Sequence, residues 1–331
     1  MAWGRIGLAA GIAALGAAAA GGVASADQSG VSFWLPGVYA SMANIAPEPG
    51  VSVPLTFYTY QGSISGSKEV PFGNDVAANL DASVYLGLIA PTFVPEQTVL
   101  GGRLAVGFMG ILGSNNASAL LTGPRGNEFG VSESTFSAGD VYPSVSLYWN
   151  QGVNNWRAYV TGNIPWGKYD PRSITNIGLG HGAIDWGGGY TYFNPETGHE
   201  FSVTTGITYN FENAQTDYQS GVDFHLDWGA SQFLSKTTSV GVAGYFYTQF
   251  SADTWDNSTT LGQLRDKVLG DDFRSQVASI GLQGAHIFLI DNIPVYTTAR
   301  GYYEFWAEDR PQGWSAYLQA SIPLGMPKGS D

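Results

Sequence analysis

Asp223, His225 and Asp227 stand at alternate positions of one segment, and Val222, Phe224, Leu226, Trp228 and Ala230 fill the positions around and between them. Side chains of an extended strand point alternately to its two faces, so the two carboxylates and the imidazole form a polar column about 13 Å long, at roughly 3.3 Å per residue. Arg300, Tyr302 and Glu304 share one face of another segment in the same way, and Asp81, Arg103, Arg157 and Asp185 fall on the polar faces of others. Ionisable groups in such places either guide an ion or solute through an aqueous interior or pair with one another to fill a narrow one. The sequence leaves both readings open.

Hydrolytic chemistry needs a nucleophile within reach of a base. None of the four histidines (His181, His199, His225 and His286) is followed two positions on by serine, as a His-x-Ser phospholipase strand would require. Asp271-Asp272 reads as solvated loop charge. There is no cysteine, which removes thiol chemistry, disulfides and cysteine-ligated metals. Gly178-Leu179-Gly180 and Gly187-Gly188-Gly189 lack the strand-to-helix context of a phosphate loop. The last of these suits a bend or a close approach within a strand. The chain therefore reads as a non-enzyme with no cofactor and no metal. Its net charge of −13 argues against nucleic acid as a partner.

The elements that must carry these residues are strands. Period-2 alternation runs through Phe201 to Phe211, Val222 to Ser231, Val295 to Trp306 and Trp314 to Leu324, with one mostly apolar and one polar face in each. Twelve segments are predicted: Val51–Gln61, Leu80–Phe93, Thr98–Leu112, Asp140–Asn150, Asn155–Lys168, Ala183–Phe193, His199–Phe211, Tyr218–Leu234, Thr237–Asp253, Ser275–Leu289, Ile293–Glu308 and Gly313–Gly325. Many exceed the 5–6 residues of a soluble strand and suit a tilted membrane strand of about 9–11 residues plus extensions. Long and short connections alternate, with one exception at Asp309 to Gln312. Charged residues make up 12% of the chain, about half the usual ~25%, and aromatics reach 14%. Clusters such as Tyr148-Trp149, Tyr190 to Phe193 and Tyr302 to Trp306 fall beside turns, where interfacial girdles belong. Unpaired backbone groups are too costly in hydrocarbon for an open sheet. The expected fold is thus all-β: a closed, up-and-down, antiparallel transmembrane β-barrel of about twelve strands. Twelve strands imply a narrow or partly filled lumen. One short surface helix is expected over Thr259 to Leu269.

Four stretches follow. Residues 1–26 carry Arg5, an apolar run from Ile6 to Val23 and the small-x-small site Ala24-Ser25-Ala26, the pattern of a cleavable signal peptide. Residues 27–50 do not alternate. Their Phe33, Trp34, Leu35 and Tyr39 are candidates for a plug at the periplasmic mouth, the alternative being a peripheral tail. Residues 51–325 form the barrel, and 326–331 a C-terminal tail without the terminal aromatic common in barrel-assembly signals.

Phe33-Trp34-Leu35-Pro36-Gly37-Val38-Tyr39-Ala40-Ser41, Pro54-Leu55-Thr56-Phe57-Tyr58, Leu80-Asp81-Ala82-Ser83, Pro91-Thr92-Phe93-Val94, Val99-Leu100-Gly101-Gly102 and the closing Trp314 to Leu324 resemble the bacterial transporter family labelled "putative meta-pathway of phenol degradation". The resemblance spans nearly all of the chain after residue 26 and is specific mainly at its two ends. It implies a barrel in the bacterial outer membrane, loosely similar to FadL-type importers, that takes up small hydrophobic or aromatic compounds. Expected partners are outer-membrane lipid, such a solute and the barrel-assembly machinery, with the protein a monomer. A small general or ion-selective porin, and less so an outer-membrane hydrolase, are the alternatives.

Overall fold

The computed structural model describes residues 32–64, 69–72, 75–122, 127–270, 272–291 and 293–324. The expected signal peptide, the tail at 326–331 and Asp271 lie outside the described residues. Twelve main strands run β1 (Gly50–Ser63), β2 (Asp75–Ile89, continued by Thr92–Val94), β3 (Gly102–Thr122), β4 (Glu128–Gln151), β5 (Asn154–Asn163), β6 (Ala183–Asn194), β7 (His199–Asn210), β8 (Asp223–Phe233), β9 (Thr238–Gln249), β10 (Gln276–Ile290), β11 (Ile293–Glu308) and β12 (Gln312–Leu324). Each pairs antiparallel with its neighbour in sequence, and β12 pairs with β1 from Val51↔Leu324 to Ser63↔Gln312. The sheet closes on itself, so every strand has a partner on both sides.

Alternation decides what each face meets. Along β7, Ser202, Thr204, Thr208 and Asn210 are buried inside, while Phe201 and Tyr209 are exposed outside. The outer wall is apolar: Leu55, Phe57, Ile89, Phe108, Val145, Val160, Trp186, Val242, Leu282 and Leu318 all face out. A protein in water would hide such a band, whereas a bilayer receives it. Aromatic pairs rim both ends. Trp156–Tyr190 and Phe193–Phe233 sit near the short turns, and Tyr209–Phe211 and Phe224–Phe250 near the long connections. By the topology of such barrels the short-turn end is periplasmic and the other external.

The structure departs from the expected strands at several points, among them a turn at Leu100-Gly101 that folds Thr98–Val99 back on Gly102–Arg103 and a strand start at Asp75 inside the expected loop. The loop expected over Gly113 to Gly139 is strand, because β3 and β4 stay paired from Leu112↔Ala138 to Thr122↔Glu128. At roughly 3.3 Å per residue, the 21 residues of β3 span about 70 Å, well beyond the ~30 Å of hydrocarbon. In this outer half the apolar face points inward, where Ala117, Ala119 and Leu121 pack with Ile64, Ala77, Leu80 and Ile174, while Ser114, Asn116 and Ser118 face out, the reverse of the alternation expected of a membrane crossing. Asn155–Lys168 ends as strand at Asn163, and the chain then turns inward. Tyr218–Gln219 leaves the expected eighth strand and pairs with Thr254–Trp255 in a separate ribbon. Finally, a bulge between Ala278 and Ser279 admits Phe305 as an extra residue opposite. One extra residue flips the faces beyond it. Trp306, expected inside with Glu304, therefore stacks outside on Phe246, 6.3 Å between centroids. The surface helix occurs as α1 (Thr260–Leu269), capped by the Thr259 hydroxyl.

Candidate functional site

The interior is occupied by the chain itself. Residues 32–49 run across the lumen and touch strands from β3 round to β12. Asp227 on β8 is the central fastening: one carboxylate oxygen accepts from the Gly37 amide (2.9 Å) and the other from Tyr39 (3.1 Å). Tyr302 on β11 donates to the Gly37 carbonyl, and Tyr317 on β12 to that of Pro36. Gly37 has φ +84°, and a Cβ there would lie 2.8 Å from the Tyr302 ring and 2.9 Å from Tyr245, so glycine is required on both counts. Further along, Ser41 meets Ser231 and Gln283, the Met42 amide donates to Glu200, and Asn44, wholly buried, bonds Tyr190, Thr191, Val203 and Thr204. Gly189 makes the room: its Cβ would fall 2.0 Å from the Asn44 carboxamide. At the periplasmic rim Arg103 donates to the Pro47 carbonyl (2.8 Å) and approaches Glu48 (3.4 Å).

All four aromatic and apolar candidates at 27–50 lie inside the barrel. The Trp34 indole stacks on the His225 imidazole at 3.6 Å between centroids and 15° between planes, with Tyr39 and Tyr159 beside it. Phe33 packs on Tyr142, and Leu35 on the cluster of Tyr58, Tyr245, Tyr302 and Tyr317. Arg157 lies over the Tyr39 ring at 4.6 Å and donates to its hydroxyl (2.9 Å).

The polar column is present as Asp223, His225 and Asp227, each no more than 2% exposed, but its members have separate partners. Asp223 accepts from Asn210, His225 Nε2 lies 2.9 Å from Asp185, and Asp227 holds the inner segment. Arg300 reaches Gln319 and the Tyr317 ring. Glu304, 1% exposed, accepts from Tyr60, Tyr245 and the Gly313 amide. Asp81 is a correction. It is exposed and shares a face with Tyr85, Gly87 and Ile89, because Val84, Leu86 and Leu88 take the inward positions of β2. An apolar inward face there put Asp81 on the wrong side of a pattern that assumed polar residues inside.

Sequence reasoning missed the second occupant. The external connection 164–182 dips into the barrel, where Ile174, Thr175, Asn176, Ile177 and Leu179 are each at most 5% exposed. Ile177 packs with Tyr58, Leu86 and Tyr245, and Leu179 with Phe33, Trp34 and Tyr159. Asp140 latches it: one oxygen accepts from the Gly167 amide (2.9 Å), the other from Leu179 (3.1 Å) and Asn163 (2.9 Å). Glu133 accepts from the Ser173 hydroxyl and the Ile174 amide. Outside the wall, the Arg172 guanidinium bonds Asp170 and holds that carboxyl below the ordinary aspartate range. The absence of charge from Ile174 to Gly180 was the available signal. D140A removes the acceptor of three donors, of which the Leu179 amide is buried and the Asn163 side chain keeps its bond to the His181 carbonyl, at about 1–3 kcal/mol for each buried group left unpaired. Tryptic cleavage after Lys168 should therefore quicken at least tenfold in D140A with the barrel intact, and an unchanged rate would show that Asp140 is not the latch.

A closed barrel with an apolar wall and a polar interior is a transmembrane β-barrel of the bacterial outer-membrane type. More particularly, the chain belongs to the family described as "Putative MetA-pathway of phenol degradation", which matches residues 65–320. No curated protein matches it in sequence. Among solved structures it is similar to the COG4313 outer membrane channel from Pseudomonas putida F1, with TM-score 0.65, 12% identity, and 86% of this chain and 98% of that one covered. Looser likenesses are the β domain of the Bordetella autotransporter BrkA (0.45, 14%, 84% and 100%) and a Pseudomonas aeruginosa FadL homologue (0.38, 8%, 83% and 90%).

Proposed function

We propose that this protein is an outer-membrane channel for small hydrophobic or aromatic compounds, closed at rest by residues 32–49 from the periplasmic side and by 164–182 from outside. The observation that carries this reading is the filling of the lumen by two segments held there mainly through side-chain bonds, the backbone bonds of 164–182 to the wall lying toward its ends, at Ile164, Lys168 and Gly182. Such contacts can be exchanged without opening the barrel. The aromatic side chains of the inner segment, and the tyrosines around them, suit a solute that is flat and poorly hydrated. The family's description points the same way.

A general porin needs an aqueous lumen, which this filling disfavours. A hydrolase is disfavoured by the geometry at His225: Nε2 faces Asp185 and Tyr159, and Nδ1 has no hydroxyl bonded to it among the described residues. Uptake of labelled phenol by porin-deficient cells tests the reading. Cells carrying the gene are expected to take phenol up several-fold faster than cells with the empty vector, while the purified protein shows little conductance in a planar bilayer. Equal uptake, or a large steady conductance indifferent to phenol, would overturn it.

A further inference from the structure

We infer that Trp34 occupies a binding slot for a planar, uncharged aromatic ring bearing a hydroxyl, and that such a solute opens the channel by displacing the indole. This deepens the channel reading and rests on it.

The slot is built from strands, not from the inner segment alone. His225 forms its floor and Tyr159 one side. Gly206 leaves the space both need, since a Cβ there would lie 2.2 Å from the Tyr159 hydroxyl and 2.7 Å from His225 Nε2. Asp185 fixes the imidazole edge-on at 2.9 Å, and Thr208 fixes Asp185 at 2.7 Å. The floor is therefore held whether or not Trp34 lies on it. Stacking at 3.6 Å and 15° shows that the slot accepts a flat ring.

The indole answers the slot's shape but not its polarity. Trp34 Nε1, His225 Nδ1 and Asp185 Oδ1 are all buried, and none has a hydrogen-bond partner among the described residues. Buried polar atoms are seldom left so. Nδ1 either accepts or donates according to the proton the imidazole carries, and in either case it has no partner among the described residues. A ring hydroxyl, which both donates and accepts, supplies that partner. Removing Trp34 also takes its own unpaired N–H out of the interior. Charge narrows the class further: the carboxyls of Asp185, Asp223 and Asp227 on this part of the wall outnumber the guanidiniums of Arg157 and Arg300, which disfavours an anion. Leu179 of the external segment packs on the same cluster as Trp34, so a ring arriving from outside meets the slot as that segment yields.

The test is equilibrium binding of phenol, cyclohexanol and benzoate to the purified full-length protein, by calorimetry, for wild type, W34A and W34F. W34A vacates the slot and should bind phenol at least tenfold more tightly than wild type, whereas W34F, which keeps a stacked ring, should stay within about threefold of it. Phenol should bind W34A at least tenfold more tightly than either cyclohexanol or benzoate. A folded W34A that gains no affinity, or that binds cyclohexanol as well as phenol, would overturn the proposal. Should W34A fail to fold, L35C carries the test, since the chain has no native cysteine. Phenol should speed maleimide labelling of L35C and cyclohexanol should not, and labelling indifferent to saturating phenol would overturn it. Uptake without slot binding would remove the slot and leave the channel reading standing. Slot binding without uptake would do the reverse.

Discussion

Tying Ser41 to Ser231 with a disulfide is expected to stop solute flux altogether, and reduction to restore it. The two hydroxyls lie 2.7 Å apart, one on the inner segment and one on the inward face of β8. A disulfide needs ~2.05 Å between sulfurs and a Cβ separation near 3.8 Å, which this approach allows with small adjustments. In a chain without cysteine, S41C/S231C has a single way to pair. The bond would anchor the middle of the inner segment, leaving Pro36 to Ala40 held between it and the neighbouring strands. Phenol uptake by cells carrying the oxidised double variant should fall to the empty-vector level and return to within about twofold of wild type on reduction, with either single variant near wild type throughout. Full oxidation with undiminished uptake would mean that the segment need not move.

The opposite change is D227A. Among the described residues Asp227 is the one that takes two backbone donors of the segment, from Gly37 and Tyr39. Hydrogen bonds to a charged group contribute about 1.5–3 kcal/mol each. The cost of keeping that carboxylate buried offsets part of this sum. A net loss of about 1.4–3 kcal/mol of closure corresponds to a ten- to hundredfold rise in the open population. The β8 ladder is untouched, since Asp227 pairs through its backbone with Thr204 and Tyr245. Channel recordings should show openings ten- to a hundredfold more often in D227A than in wild type. D223A is the control: it is on the same face of the same strand, and its carboxylate bonds Asn210 of β7. Equal opening in the two variants would deny Asp227 its role.

In the proposed reading, closure rests on a modest number of polar contacts inside a closed wall. Exchanging them leaves intact the ladder that membrane insertion demands, because backbone groups facing hydrocarbon stay paired. This separation would let the proposed gate and its scaffold coexist in one chain.

Alternation with a period of two is a local property, and it reached far. The apolar face of β7 and β8, the polar column at Asp223, His225 and Asp227, the twelve crossings and the unpatterned aromatic stretch at Phe33 to Tyr39 could all be read from neighbouring residues. A side chain's face on a strand depends only on parity and on which face meets lipid. Three things depended on residues distant in sequence and were decided only by the tertiary structure. The bulge opposite Ala278 inverts parity, and it sends Trp306 outward because two strands must share a register that neither encodes alone. The inward face of β2 is apolar because Leu86 and Leu88 meet Ile177 and Tyr245 across the lumen, which left Asp81 outside. The connection 164–182 enters the barrel because Asp140, on a strand two before it, can accept its amides once the wall has closed. Partners fixed by closure carry no periodicity, so spacing could show most of the inward charges, Asp81 excepted, but not which of them hold the chain in place.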